Sequence, residues 1–465
     1  MAKSQKTTPV KSGRGKSSRA KPTAEAEVLA DLIKWARAAG ADAADALYVH
    51  GESISVSQRL GKREKLESSE GRDLGLRVFV GHRQAFVSST VFTPKALRTL
   101  AQRAVDMARA VPEDPVCGIA PEELLTHSWP DLDLDDGRRP AARTFIAMAA
   151  EAEEAALAVK GVTNSEGADA GWGRSSVTLA ASNGFVGGYK NSGYSLSCSV
   201  LAGEGTGMER DYDWSSAVYL DDLMDAAMVG RTAGRNAVRR LNARGAKNAR
   251  VPVVYDRRVS GSLLGHLAGA VNGRSVARGT SFLKDKMGER IFDPSIRIID
   301  NPLRKRGPGS RPFDAEGLAT KRYAVIDKGV LTTWFLDLAA ARQLNLKPTG
   351  HAARGTSGPP SPTTSNFYLE KGKVSVEELI GDIKSGLFIT DLIGFGVNGV
   401  TGDYSRGASG FWIEKGKLAW PVSGITVAGN LKDMFLKMIP ANDLQFKSST
   451  NAPTVRIDGM TVAGS

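Results

Sequence analysis

Apolar positions recur along this chain with two periods, and each change of period marks a new element. Residues 25–39 (EAEVLADLIKWARAA) put Val28, Leu29, Leu32, Ile33 and Trp35 on the apolar side of a helix that Gly40 closes. ALYVHGESISVSQ at 46–58 reads as a strand that ends in alternation. RDLGLRVFVGHRQAFVSST at 72–90 reads as a hairpin turning near Gly81. Thr93 and Pro94 are the residue types of an N-cap and a first helical position. Leu97, Leu100, Ala101, Ala104, Val105 and Ala108 carry that helix to about residue 110. An Ala-rich helix is expected over 140–159, a β-rich stretch over 161–219 with a Ser-Asn-Gly turn at 182–184, and a helix over 221–241. Arg239 and Arg240 near its end suit a helix C-terminus.

The texture changes after residue 250. The strand-like run VPVVY at 251–255 leads to an apolar, small-residue helix, GSLLGHLAGAVNG, at 261–273. Short strands and turns follow. YAVIDKGVLTTWF at 323–335 and FWIEKGKLAWPV at 411–422 are hairpins turning on Lys328-Gly329 and Lys415-Gly416. Ser375 and Glu378 form a capping box for a helix that runs to about Lys384. The pattern predicts an α+β protein: a basic tail (1–24), an N-terminal α/β domain (25–110), a linker (111–139), a middle α+β domain (140–245) and a large C-terminal β-rich domain with a few helices (250–465).

Composition adds limits. The 465 residues exceed one ordinary core. Two cysteines, Cys117 and Cys198, exclude a disulfide framework and suit a reducing cytoplasm. No apolar run approaches the roughly 18 residues that span a bilayer, and the N-terminus lacks the apolar stretch of a secretory signal. Of the net charge of +12, seven cations lie within residues 1–24, so the body carries +5. The tail is expected to be disordered, and nucleic acid is not an expected partner. The acidic cluster Asp131, Asp133, Asp135 and Asp136 has the oxygen chemistry of a Ca²⁺ site but lacks the glycine and glutamate of an EF-hand loop, and a solvated linker is preferred.

Most catalytic signatures are missing. There is neither a phosphate-binding G-x-x-x-x-G-K-[ST] loop nor a G-x-S-x-G elbow. The histidines His50, His82, His127, His266 and His351 are scattered, with no two within one helical turn. A zinc-protease helix needs two histidines projecting from one face and a glutamate beside the first. The segment 261–273 has His266 alone, with Ser262 and Ala270 four residues to either side, and no carboxylate between 260 and 280. The densest unusual stretch is TDLIGFGVNGVTGDYSRGASGFWIEKGKLAWPVSGITVAGNLKDMF at 390–435. Its glycines allow close backbone approach. Asn398, Asp403, Tyr404, Ser405 and Arg406 supply polar groups, so either a peptide groove or tight packed hairpins would fit.

That stretch, with NPLRKRGPGSRPFDAEG at 301–317, NDLQF at 442–446 and PTVRIDGMTVAG at 453–464, resembles the TldD/PmbA family, also called modulators of DNA gyrase. The resemblance covers about 45–464, and VTGDYSRGASGFWIE and AGNLKDMF are typical of its PmbA (TldE) branch. It implies a metalloprotease family in which a TldD subunit bears HExxxH and a later cysteine, while TldE pairs with it and lacks those ligands. Carried over, Gly265 stands for the first histidine, His266 for the glutamate and Ala270 for the second histidine. Only KSSTNA separates NDLQF from PTVRID, so the cysteine segment is missing. The expectation is a non-catalytic, cytoplasmic subunit without a metal of its own. A TldD-type partner would supply zinc, and unfolded peptides would be the substrate. The alternatives are a stand-alone peptide-binding or regulatory protein, and an enzyme with other chemistry around Asp403–Arg406.

Overall fold

The computed structural model describes residues 23–464; the expected basic tail lies almost wholly outside them. Thr23 caps α1 (Ala24–Ala38) with its hydroxyl, and Thr93 does the same for α2 (Pro94–Ala110). Between these helices run β1 (Ala43–Arg59), β2 (Lys62–Val80) and β3 (Arg83–Ser89). The first hairpin is longer than its hydrophobic pattern predicts: Lys62–Gly71 of β2 is exposed and charged, so alternation is not visible there. After α3 (Ala142–Leu157) come β4 (Val162–Ala181), β5 (Val186–Ala202), β6 (Glu209–Ala217) and α4 (Ala226–Arg239). The last is shorter than the expected 221–241, because Leu220–Asp222 form a separate 3₁₀ turn.

These strands form one antiparallel sheet in the order β3-β2-β1-β4-β5-β6. Strands from 25–110 and from 140–245 therefore lie side by side, joined where β1 pairs with β4. The alternation of β1 explains what covers the sheet. Ala44, Ala46 and Tyr48 pack with α1 and α2, and Val56 farther along packs with α3 and α4. Leu47 faces the other way and meets Phe313, Leu318 and Leu338 of the C-terminal body. Gly230 lets α4 lie against α3, since a Cβ there would sit 1.9 Å from the Ala152 carbonyl oxygen.

The C-terminal body starts with β7 (Ala249–Tyr255), α5 (Arg257–Ala270) and α6 (Gly273–Ala277). A small sheet follows, made of β8 (Ile298–Asp300), β9 (Tyr323–Asp327), β10 (Val330–Leu331), β13 (Phe367–Leu369) and β18 (Thr450–Asn451). Beside it lie α7 (Leu338–Gln343) and the two-residue pair β11 (Ala352–Ala353) and β12 (Ser361–Pro362). The capping box at Ser375 opens α8 (Val376–Gly381), which ends short of the expected Lys384 as Ile383 turns into the core. The rest comprises β14 (Ser385–Val397), β15 (Asp403–Glu414), β16 (Lys417–Asn430), α9 (Leu431–Leu436), β17 (Met438–Pro440) and β19 (Val455–Gly464). Their order is β16-β15-β14-β7-β19-β17, and a further pairing of β16 with β19 closes a small barrel. Lys328 and Gly329, like Lys415 and Gly416, have positive φ, as the two-residue hairpin turns require. The fold is α+β, β-rich in the C-terminal body.

Candidate functional site

Helix α5 starts at Arg257, four residues before the expected 261, because Asp256 supplies the cap: its carboxylate accepts the Arg258 N–H at 2.8 Å. The helix stops at Ala270, and Asn272 caps the separate α6. Val259, Leu263, Leu267 and Ala270 face the core, in contact with strands of the barrel and the small sheet. Gly261, Gly265 and Gly269, one turn apart, form another stripe. A Cβ at Gly265 or Gly269 would meet no heavy atom of the described residues within 4 Å. Arg258 ties the helix to the first sheet through an ion pair with buried Asp211 of β6, at 2.5 Å.

The three positions that would carry a zinc-protease motif are not equivalent. Gly265 is exposed, while Ala270 is buried at 4% exposure and its carbonyl accepts the Ser281 hydroxyl at 2.6 Å. Five residues apart, they point about 140° away from each other around the helix. His266 lies between them, half-buried, edge-on to Tyr404 with 5.8 Å between ring centres. Its Nε2 has no hydrogen-bond partner among the described residues. Burial and the Arg406 guanidinium hold this imidazole below its ordinary pKa, so it is a neutral base rather than a cation near neutral pH. The residues present do not fit a zinc ion: His266 alone of the three has a ligating side chain. Among the described residues no group of three or more His, Cys, Asp or Glu could hold a metal. Cys117 and Cys198 are free and buried, and burial pushes the Cys198 thiol up to about 12, far from the thiolate a metal needs.

Of the residues expected to form a groove, the structure brings Tyr404 against His266, with the Arg406 guanidinium near enough to disfavour the charged imidazole. Asn398, Asp403 and Ser405, together with Phe395 and Tyr404, line a hollow of about 550 Å³. Asn398 is partly committed to its turn, accepting the Val400 N–H at 2.9 Å, and Asp403 accepts from Thr401 and Asn430. Arg406 donates to the Ile393 carbonyl at 3.2 Å. Tyr404 is buried at 2% exposure, which pushes its hydroxyl up. The aspartates at 133–136 are engaged too: Asp133 and Asp135 pair with Arg306 and Arg174, and Asp136 accepts from Tyr194.

One cleft escaped the sequence reading. A cleft of about 660 Å³ lies between α4 and β6 on one side and the start of α5, β14 and the 443–454 segment on the other. Arg239, Arg257 and Thr390 line it. These residues are more than a hundred positions apart at the extremes, so no local pattern marks the cleft. Among the described residues no helix is long and apolar enough to cross a membrane.

Comparison with known proteins places this geometry. Residues 44–108 match PmbA/TldA metallopeptidase domain 1, 135–241 the central domain, and 248–464 the C-terminal domain. The metalloprotease PmbA of Escherichia coli is 37% identical over 425 residues, which cover 91% of this chain and 92% of the relative. A PmbA homologue from Haemophilus influenzae is 32% identical over 93% of this chain and 94% of its own. A crystal structure from Bacteroides thetaiotaomicron, named as a modulator of DNA gyrase, superposes with a TM-score of 0.88 at 29% identity, covering 95% of this chain and all of that one. TldE from Thermococcus kodakarensis, at 18% identity and a TM-score of 0.84 over 94% of this chain and all of its own, shares the fold. The chain belongs to the PmbA/TldD metallopeptidase family.

Proposed function

We propose that this chain is the non-catalytic, PmbA/TldE-type subunit of a heterodimeric cytoplasmic zinc metalloprotease that cleaves unfolded peptides and proteins. A TldD-type partner supplies the zinc and the general base. The observation that carries the reading is α5: at the three motif positions stand an exposed glycine, a neutral histidine and a core alanine. One imidazole cannot hold a catalytic zinc ion, which takes three protein ligands and leaves one position for water. Gly265 and Gly269 of α5, where an added Cβ would meet no heavy atom of the described residues within 4 Å, support a role in walling a chamber. The hollow beside Asn398, Asp403 and Ser405 supports contact with extended peptide.

The test is purification of this chain alone and together with a TldD-type partner, measuring bound zinc and cleavage of an unfolded peptide. Zinc and cleavage should follow the partner. Stoichiometric zinc with cleavage by this chain alone would overturn the proposal. Peptide binding without any association with such a partner would favour the stand-alone binding protein.

A further inference from the structure

We propose that Asn398 and Gly399, in the turn between β14 and β15, are a site of spontaneous covalent modification. The Gly399 nitrogen closes on the Asn398 side chain, ammonia leaves, and water opens the resulting succinimide to aspartate or isoaspartate. Water is the only co-reactant, and the inference stands apart from the peptide reading above.

An Asn-Gly pair occurs three times in the chain, at 183–184, 272–273 and 398–399. Glycine suits the second position, because no Cβ shields its nitrogen or limits the backbone rotation that ring closure needs. Residue type makes the three pairs equal, and hydrogen bonding separates them. The Gly184 N–H donates to the Ala181 carbonyl at 3.1 Å, and Asn183 Nδ2 donates to the Ala120 carbonyl at 2.8 Å. The Gly273 N–H donates to the Phe335 carbonyl at 2.8 Å, and Asn272 Nδ2 donates to the Pro362 carbonyl at 2.9 Å. At both places the attacking nitrogen and the leaving amide are tied, so ring closure must first break two hydrogen bonds. At 398–399 neither the Gly399 N–H nor Asn398 Nδ2 has an acceptor among the described residues.

The oxygen of the same side chain is held. Asn398 Oδ1 accepts the Val400 N–H at 2.9 Å and the Thr401 N–H at 3.3 Å. Negative charge gathers on this oxygen when the nitrogen adds to Cγ, and backbone donors aimed at it stabilise that charge. Asn183 Oδ1 and Asn272 Oδ1 accept one N–H each, from Phe185 at 3.2 Å and from Arg274 at 3.0 Å. The turn around Asn398 is anchored through other atoms. The Asn398 N–H donates to the Asp403 carbonyl at 2.8 Å, and its own carbonyl accepts the Gly402 N–H at 2.8 Å. The Gly399 carbonyl accepts the Phe282 N–H at 3.0 Å. Residues 398–400 are exposed, so water reaches the ring.

The bonds balance without an oxidant or reductant. Hydroxide takes the Gly399 amide proton, and the bond from nitrogen to Cγ forms. The bond from Cγ to Nδ2 breaks as Nδ2 takes a proton from water and departs as ammonia. Water then adds to one of the two imide carbonyl carbons. Opening at Cγ leaves aspartate in the ordinary chain. Opening at the main-chain carbonyl carbon leaves isoaspartate, with the chain running through the former side chain and lengthened by a methylene. Either product puts a new carboxylate in the hollow that Asn398 lines together with Asp403.

The experiment incubates the full chain in mildly alkaline buffer made with heavy-oxygen water and maps its peptides by mass spectrometry over time. The Asn398 peptide should lose ammonia and take up labelled oxygen about tenfold faster than the Asn183 and Asn272 peptides, equivalent to about 1.4 kcal/mol in barrier. In urea the three pairs should react at similar rates, since the hydrogen bonds that separate them are gone. Gly399→Ala should abolish the lead of Asn398, because a methyl group crowds the attacking nitrogen. The substitution leaves the fold intact: an added Cβ there would meet only the Thr280 carbonyl oxygen, at 3.9 Å. Equal rates at the three pairs in the folded chain, or a faster reaction at Asn183 or Asn272, overturn the proposal. A lead of Asn398 that persists in urea overturns it as well, because local sequence would then be the cause. A lead that survives Gly399→Ala overturns attack by the Gly399 nitrogen.

Discussion

Replacing Gly265 and Gly269 by alanine should make the isolated chain more stable, although both lie in the helix that stands where the family's metal motif would. Glycine inside a helix costs about 1 kcal/mol relative to alanine, through backbone entropy. That cost is tolerated where a Cβ would clash, as at Gly230, whose added carbon would sit 1.9 Å from the Ala152 carbonyl oxygen. Neither Gly265 nor Gly269 has such a neighbour: among the described residues nothing lies within 4 Å of the added carbon. Gly269 lies in the last turn of α5, where fraying reduces the effect, so the double variant should gain about 1–2 kcal/mol. Urea unfolding of the chain alone should show a higher midpoint at an unchanged slope, and Gly230→Ala should move the midpoint the other way. A lower midpoint for the double variant would refute the reasoning, because it would mean that the glycine face packs inside the chain. The same variant also reports on assembly. If the stripe abuts the partner, two methyl groups there weaken association while each chain remains sound; unchanged association would take this face out of the interface.

Three further perturbations test the architecture. Glu153 on α3 is almost fully buried and accepts from the backbone of Leu60 at 2.7 Å and Gly61 at 2.9 Å, pinning the β1–β2 turn. Glu153→Gln sets an amide N–H₂ against those donors and should cost about 2 kcal/mol in urea unfolding. These bonds hold its carboxyl below the ordinary 4.5, so its contribution is present above that value and lost as pH falls through the folded one. Glu316 runs the opposite way. Burial, with Asp314 beside it, pushes its carboxyl from 4.5 to about 8, so the folded chain keeps a proton that the unfolded chain releases. Its contribution to stability should fall as pH rises from about 4.5 to about 8, and Glu316→Gln should flatten that slope; an unchanged profile would exclude this group as its source. Asp45 joins the two halves of the molecule, accepting from Arg77 Nε at 2.8 Å and lying 2.6 Å from Arg354, all three buried. Asp45→Asn leaves two buried guanidinium groups without their shared carboxylate and should lower unfolding stability by about 3–5 kcal/mol.

Local features were legible because their physics is local. Thr93-Pro94, the Ser375–Glu378 capping box and the Lys-Gly turns form where their residue types predict, since each depends on atoms a few residues apart. Helix α5 was legible from its apolar spacing, although its true start at Arg257 was hidden by charge. The exposed half of β2 was not, because a strand with no buried face shows no alternation. The proposed groove residues share a sequence stretch, but β15 alternation buries Tyr404, leaves Asp403 and Ser405 exposed and Arg406 half-buried. The cleft of Arg239, Arg257 and Thr390 had no local signature.

By itself the sequence determined the composition of α5: no second histidine and no carboxylate near His266, hence no zinc-protease motif in this helix, whatever the fold. It also determined the family, through long motifs that recur in order. The tertiary structure decided what that helix became. Packing buries Val259, Leu263, Leu267 and Ala270, and leaves Gly265 and Gly269 on a face where an added Cβ would meet none of the described residues within 4 Å. It decided, too, that segments distant in sequence share one cleft. Such a site depends on strand order and helix placement, which are fixed by the burial of the whole core rather than by the residues that line it.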